Sequence, residues 1–375
     1  MYHCGPTVYD YAHIGNLRSY VFADLLRRTF EYLDFEVKQV INITDIGHLT
    51  SDADSGDDKM VKGLKREGLP LSLEGLKQLA DKYEKAFKDD LGALNIRTPH
   101  HFPRATEYLE QEISLVKRLE EDGYAYVLPD GVYFDTERIP EYGKLGGLTP
   151  LGESEARVDI GGKKSPRDFV LWKLSEDEHI GFPSPWGTGF PGWHIECSAM
   201  SRELLGQPFD IHTGGVDHIP VHHNNEIAQS ETAFGEPLAH YWLHNDFVNL
   251  SGTKMAKSEG NHITLKTLAE KGFSPVAYRY LLLLSHYRTP TTFTWEALEA
   301  AQNAFNKIKK LVDSWPDGGE IDLAYKAKFM EKIENDLNTP QALAVVWTLA
   351  KDKEVKPEDK KASAQDFCRI LGLGL

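Results

Sequence analysis

The apolar residues of this chain change period several times along its length, and each change marks an element. Val21, Phe22, Leu25, Leu26, Phe30 and Leu33 recur at three- and four-residue spacing, which predicts a helix over 16–33. Before it, residues 1–4 read as the end of a strand and Gly5-Pro6-Thr7 as a turn. After it, the β-branched run over 36–43 predicts a buried strand. Strand, helix and strand make one βαβ unit, and such a unit implies a parallel sheet. Residues 52–58 are polar, contain Gly56 and read as a surface loop, whereas 71–91 and 106–122 carry helical spacing. Over 123–180 the helical period stops, and Gly, Pro and short strand-like pieces such as 131–134 replace it. Regular elements resume with a strand at 209–212 ending in Thr213-Gly214-Gly215, a helix at 222–233 and a strand at 241–248. A helix over 275–285 and a helical tail from Trp295 to about residue 371 complete the pattern.

Composition narrows the class. A length of 375 residues predicts two or three domains, and 41% hydrophobic residues suffice for a sizeable core. No apolar run reaches the length of a membrane span, and Met-Tyr-His-Cys-Gly-Pro does not read as a secretory signal. Three cysteines, Cys4, Cys197 and Cys368, cannot build a disulfide framework, so a reducing cytoplasm is expected. The net charge is −15, yet residues 301–375 balance 12 basic against 12 acidic side chains, so the whole excess lies in residues 1–300. Acidic surface repels phosphate, so composition argues against a broad nucleic-acid face; any RNA contact must use local basic patches.

Candidate chemistry lies in two distant segments. His13-Ile14-Gly15-Asn16 sits between a predicted strand and a predicted helix. A helix N-terminus offers unpaired N–H groups and a positive dipole end to phosphate, and Gly15 lets the backbone come close to a nucleotide. His13 is placed to donate a hydrogen bond to an α-phosphate as charge builds during attack. Far downstream, Lys254-Met255-Ala256-Lys257-Ser258 lies between Gly252 and Gly260, and its two ammonium groups suit the β- and γ-phosphates of a nucleotide. Together, in this order, the two segments resemble the paired signatures of class I aminoacyl-tRNA synthetases. Asn16 replaces the second His of the usual first signature and Ala256 the Ser of the commoner second one. By this resemblance ATP, with Mg²⁺, is expected on Gly5, His13, Gly15, Asn16, Lys254 and Lys257, with His13, Asn16, Lys254 and Lys257 catalytic.

A second constellation concerns the amino acid. His222 and Glu226 are four residues apart, so one helical face presents both, although His223 competes with His222 for the role. Gly192-Trp193-His194-Ile195-Glu196-Cys197, Asp210-Ile211-His212-Thr213-Gly214-Gly215-Val216-Asp217 and Cys4 share this chemistry. The set is similar to that of the cysteinyl-tRNA synthetases, and the likeness runs through almost the whole chain. It implies one zinc per chain on Cys4, Cys197, His222 and Glu226, a donor set that zinc accepts. It further implies that Trp193 closes over a small side chain, that Asp217 pairs with the substrate ammonium, and that His194, His212 and Thr44 line the pocket.

The fold implied is a split, doubly wound, Rossmann-like α/β catalytic domain with a connective insertion, followed by an all-α helical bundle. The expected divisions are 1–95 and 191–250 for the two catalytic halves, 96–190 for the insertion, 251–298 for the lysine loop and stem-contact region, and 299–375 for the bundle. Asn335-Asp336-Leu337-Asn338-Thr339-Pro340 resembles the start of a helix in that bundle. The partners expected are tRNA(Cys), L-cysteine and ATP, with no membrane and a monomeric chain. The usual leading segment and the small anticodon-binding domain have no counterpart in these 375 residues, so anticodon reading is not expected of them. Two other readings share the same residues: a mycothiol-biosynthesis cysteine ligase, and a non-catalytic tRNA- or amino-acid-binding paralogue.

Overall fold

The computed structural model describes residues 1–47, 59–146, 162–175, 180–250, 253–254 and 263–375. They form two compact units: Met1–Tyr11, Lys38–Ala86 and Pro99–Leu243 in one, and Ala12–Val37, Phe87–Thr98 and His244–Leu375 in the other. The predicted loop over 52–58 and the segment Met255–Ser258 lie outside the described residues.

The first unit is organised by a four-stranded sheet in the order Val40–Ile41, Tyr2–His3, Phe209–Gly215, Ala239–Asn245. Tyr2 and His3 pair in parallel with Val40 and Ile41 on one side and with His212 and Thr213 on the other. The parallel sheet expected from the βαβ pattern is therefore present, and it brings together strands that lie two hundred residues apart. The strand predicted over 36–43 shrinks to Val40–Ile41. Its partner Tyr2–His3 is only two residues long, and Gly5 beyond it lies flat against the neighbouring chain: a Cβ at Gly5 would lie 1.5 Å from the Asn42 carbonyl oxygen. Pairing beyond Ile41 continues only as isolated bridges, Ile43 with Arg104 and Thr7 with Thr44.

The segment without helical period is a second, antiparallel sheet of Ala125–Leu128, Gly131–Phe134, Phe169–Leu174 and Gly189–Pro191. Its buried face, with Val132, Phe134, Phe169, Leu171 and Trp172, packs on Leu115, Val116 and Leu119 of the Leu109–Glu121 helix and on Ile195. The helix predicted over 106–122 thus starts as a 3₁₀ turn at Ala105–Glu107 before becoming regular. Likewise the helix predicted over 222–233 begins at Asn224, and Ile219–His223 forms a wider π turn. The Asn224 side chain holds this turn open by donating from Nδ2 to the Ile219 carbonyl at 2.6 Å.

In the second unit the helix expected over 16–33 spans Ile14–Tyr32, and its buried face includes Leu17, Val21, Phe22, Leu25 and Leu26. The strand expected over 241–248 is two strands, Ala239–Asn245 and Val248–Leu250. Asp246 breaks it by accepting from the Phe247 N–H at 2.7 Å. Val248–Leu250 pairs antiparallel with Thr253–Lys254 and parallel with Thr291–Phe293. The helix expected over 275–285 is Pro275–Leu283. The helical tail is four helices, Trp295–Ser314, Leu323–Glu334, Thr339–Lys351 and Pro357–Leu371. Positive φ at Asp336 and Leu337 separates the middle pair, and the Asn338 side chain caps the third helix by accepting from the Gln341 N–H at 3.2 Å.

Candidate active site and metal centre

Ligands of open parallel sheets bind beyond the carboxyl ends of the strands. The first unit collects its polar buried residues there. Cys4 follows strand Tyr2–His3, Thr44 follows Val40–Ile41, and His212 lies within Phe209–Gly215. The helix Trp193–Leu205 enters from the second sheet and carries Trp193, His194, Glu196 and Cys197. Gly192 makes that entry possible: a Cβ there would lie 2.1 Å from the Val170 carbonyl oxygen.

The sulfurs of Cys4 and Cys197, a ring nitrogen of His222 and a carboxylate oxygen of Glu226 all lie within 4.8 Å of one another, and all four residues are buried. Cys4, His212, His223 and Glu226 form a second, overlapping group. Hydrogen bonding separates the two. His212 Nε2 is already paired with Glu226 Oε2 at 2.8 Å. His222 Nε2 stands 3.1 Å from Glu226 Oε1 but makes no hydrogen bond. Its other ring nitrogen meets His194 Nδ1 at 2.8 Å, the outer pairing that orients a metal-bound imidazole. Two thiols, one imidazole nitrogen without a hydrogen bond and one carboxylate converging in a buried site fit a zinc ion, and His222 fits better than its neighbour His223.

The charges agree with that donor set. Burial works against ionisation of Glu226, yet His212 and His222 hold its carboxyl below the usual carboxylate range. Burial would also lower His222, but the Glu226 carboxylate and Cys197 raise it to about 10. Burial pushes the Cys4 thiol well up. Burial acts the same way on Cys197, but its neighbours Cys4 and His222 bring it down to about 6.

The remaining pocket residues differ in their setting. Trp193 is half-buried and stacks near His222, with ring centroids 4.1 Å apart. His194 is buried and its Nε2 has no hydrogen-bond partner; burial, then the neighbouring His222, holds it neutral. His212 stacks on Trp242 with centroids 4.5 Å apart. Asp217 is exposed, in a 3₁₀ turn directly after the central strand. Thr44 is fully buried and donates from Oγ1 to Glu196 Oε2 at 2.6 Å. Burial, then nearby Glu112, keeps the Glu196 carboxyl well above its ordinary value. The sequence assigns no role to Glu196, which meets Thr44, or to Trp242, which stacks on His212. Glu196 stands between the quoted Ile195 and Cys197, but no local spacing signals that its carboxyl meets Thr44.

In the second unit His13 caps the Ile14–Tyr32 helix, its Nδ1 accepting from the Asn16 N–H at 3.1 Å. A neutral ring that accepts at Nδ1 carries its proton on Nε2, so His13 presents a donor there. Gly15 and Asn16 occupy the first turn, and Asn16 is exposed. Lys254 is in the strand paired with Val248–Leu250, whereas Lys257 lies outside the described residues. Among the described residues no helix is long and apolar enough to cross a membrane.

Comparison with known proteins gives the family. The family described as tRNA synthetases class I (C) catalytic domain matches residues 1–303, and the DALR domain matches residues 328–372. Cysteine--tRNA ligase 1 of Burkholderia lata is 50% identical over 380 residues, covering 100% of this chain and 80% of its own. Cysteine--tRNA ligase of Thermus thermophilus is 43% identical, covering 100% of this chain and 81% of its own. Among solved structures, methionyl-tRNA synthetase of Mycobacterium tuberculosis in complex with methionyl-adenylate shares the fold at 17% identity. Its TM-score is 0.65, over 99% of this chain and 89% of that one. With its Rossmann-like parallel sheet, its helical C-terminal region and relatives of this identity over its whole length, the chain belongs to the class I aminoacyl-tRNA synthetases, in the family of the cysteine--tRNA ligases.

Proposed function

We propose that this chain activates L-cysteine with Mg·ATP and transfers it, through cysteinyl-adenylate, to the 3′ end of tRNA(Cys). The observation that carries the reading is the buried convergence of Cys4, Cys197, His222 and Glu226 at the carboxyl ends of the parallel strands. Zinc held by these four residues would bind a substrate thiolate far better than a hydroxyl, which supplies a preference for cysteine over serine that size alone cannot.

The chain's own residues do the rest. Trp193 closes over the small side chain, and neutral His194 offers its Nε2 to the pocket. His212 holds Glu226 in place, Thr44 contacts the amino acid, and exposed Asp217 pairs with its ammonium. The amino-acid carboxylate attacks the α-phosphate. His13 donates from Nε2 to the charge that builds there. Gly5 and Gly15 let the backbone approach the nucleotide, and Asn16 adds a neutral donor. Lys254 and Lys257 stabilise the departing pyrophosphate. A hydroxyl of the terminal tRNA adenosine then takes the cysteinyl group. Buried thiols without disulfides support a reducing, cytoplasmic setting, and we take the chain to act as a monomer.

Pyrophosphate exchange tests activation apart from any acceptor. Exchange between ATP and labelled pyrophosphate should depend on cysteine, and a tRNA(Cys) transcript should then be charged. Exchange without charging of tRNA, but with capture of cysteine by an amino-sugar acceptor, would overturn the tRNA assignment.

A further inference from the structure

The backbone of Thr44 is fixed against the turn that follows Cys4. Its N–H donates to the Pro6 carbonyl at 3.1 Å, and its carbonyl accepts from the Val8 N–H at 3.0 Å. The side chain is held separately, by a run of hydrogen bonds that starts at the residue after Cys4. The Gly5 N–H donates to Asn42 Oδ1 at 2.7 Å, Asn42 Nδ2 donates to Thr44 Oγ1 at 3.4 Å, and Thr44 Oγ1 donates to Glu196 Oε2 at 2.6 Å. The run ends one residue before Cys197, and Asn42, Thr44 and Glu196 are all buried.

Glu196 is not spent on the metal centre. Successive residues of a helix point about 100° apart, so Cys197 turns to the thiol cluster while Glu196 turns to Thr44. Among the described residues the Glu196 side chain makes one hydrogen bond, the one to Thr44, and its Oε1 has none. Burying a carboxyl with one oxygen unpaired costs stability, and an apolar side chain would fill the space without that cost. What the carboxyl supplies is the position of a hydroxyl. A threonine on a fixed backbone can exchange its hydroxyl and methyl by one step between staggered rotamers. The bond to Glu196 is much the shorter of the two on Thr44 Oγ1, and it selects one rotamer.

We propose that Glu196 is a positioning residue for amino-acid binding: it fixes the rotamer in which Thr44 presents its hydroxyl to the substrate. The inference rests on the reading that Thr44 contacts the amino acid. It makes Glu196 act through Thr44, and neither on zinc nor on substrate directly.

The test is cysteine-dependent ATP–pyrophosphate exchange by Thr44→Val, Glu196→Leu, Glu196→Gln and the double variant Thr44→Val/Glu196→Leu, with adenylate bursts used to count active sites. Thr44→Val should raise the KM for cysteine at least about tenfold, the effect of losing one hydrogen bond to a charged group. Glu196→Leu should raise it at least about fivefold, because the hydroxyl is no longer held in place. Glu196→Gln, whose amide oxygen accepts the same bond, should stay within about twofold of wild type. The KM for ATP, the zinc content and the preference for cysteine over serine should also stay within about twofold in every variant. The double variant replaces both partners by apolar groups, a change close to neutral for stability, so its Tm should stay near that of wild type. Its KM for cysteine should nevertheless be no higher than that of Thr44→Val, since Glu196 acts through that residue. A merely structural role would lower Tm and burst amplitude in Glu196→Leu and leave the KM for cysteine at the surviving sites unchanged; that result overturns the proposal. If Thr44→Val itself leaves the KM for cysteine unchanged, the placing of Thr44 in the pocket falls and this proposal with it, while cysteine-dependent exchange by the wild-type protein still upholds activation. If Thr44→Val raises the KM and Glu196→Leu does not, only the role of Glu196 falls.

Discussion

A buried cysteine is usually a small apolar side chain, and a buried histidine usually satisfies both nitrogens. Cys197 and His222 depart from both habits, the first with its thiol brought down to about 6 by its neighbours Cys4 and His222 and the second keeping Nε2 without a hydrogen bond. Removing the thiol should therefore matter more than its volume suggests. Cys197→Ser should lose most of its zinc and weaken cysteine binding in parallel; metal analysis and equilibrium dialysis follow the two. Full zinc with unchanged cysteine affinity would remove Cys197 from the site. Protonation gives a second handle. His222, raised to about 10, and Cys4, pushed up by burial, both hold protons at neutral pH in the metal-free protein. Zinc must displace them, so loading should release about two protons and the affinity should drop as pH falls, about a hundredfold per unit. Calorimetry in buffers of different ionisation enthalpy reads the release, and an absence of released protons would contradict the donor set.

The elements show which parts of this were legible in the amino-acid order. Periodicity locates the Ile14–Tyr32 helix to within a residue or two because its buried face repeats without interruption. The four-residue spacing of His222 and Glu226 is legible for the same reason, although the π turn at Ile219–His223 is not. The Asn224 side chain bonds the Ile219 carbonyl across that turn, a contact no period encodes. Nor does any local pattern bring Cys4 to Cys197, or Thr44 to Glu196. Those meetings require the parallel sheet to place residue 3 beside residue 213, a pairing made only by the folded chain. Caps, in contrast, are local and readable. Asp322 accepts from the N–H groups of Ala324 and Tyr325 at 2.9 and 3.0 Å. Asp322→Ala should cost about 1 kcal/mol, visible as a lower midpoint in denaturant with an unchanged slope. A loss below about 0.3 kcal/mol would mean that water replaces the cap.

At the scale of the molecule, the proposed activity has to work in a chain whose net charge of −15 disfavours nucleic acid in general. Acidic bulk surface and specific tRNA contact are compatible only if contact is confined to local basic surface, so tRNA binding should weaken steeply with salt while cysteine activation should not. The central claim is narrower: cysteine is chosen by bond type and not by volume. ATP–pyrophosphate exchange on zinc-loaded protein, with cysteine and then serine at equal concentration, tests it most directly. Filling a cavity differently separates near-isosteres by only about 10–200-fold, so a preference for cysteine well beyond about a thousandfold is expected if sulfur meets the metal. Serine activated within about tenfold of cysteine would contradict the account and leave Cys4, Cys197, His222 and Glu226 as a structural cluster beside an unselective pocket.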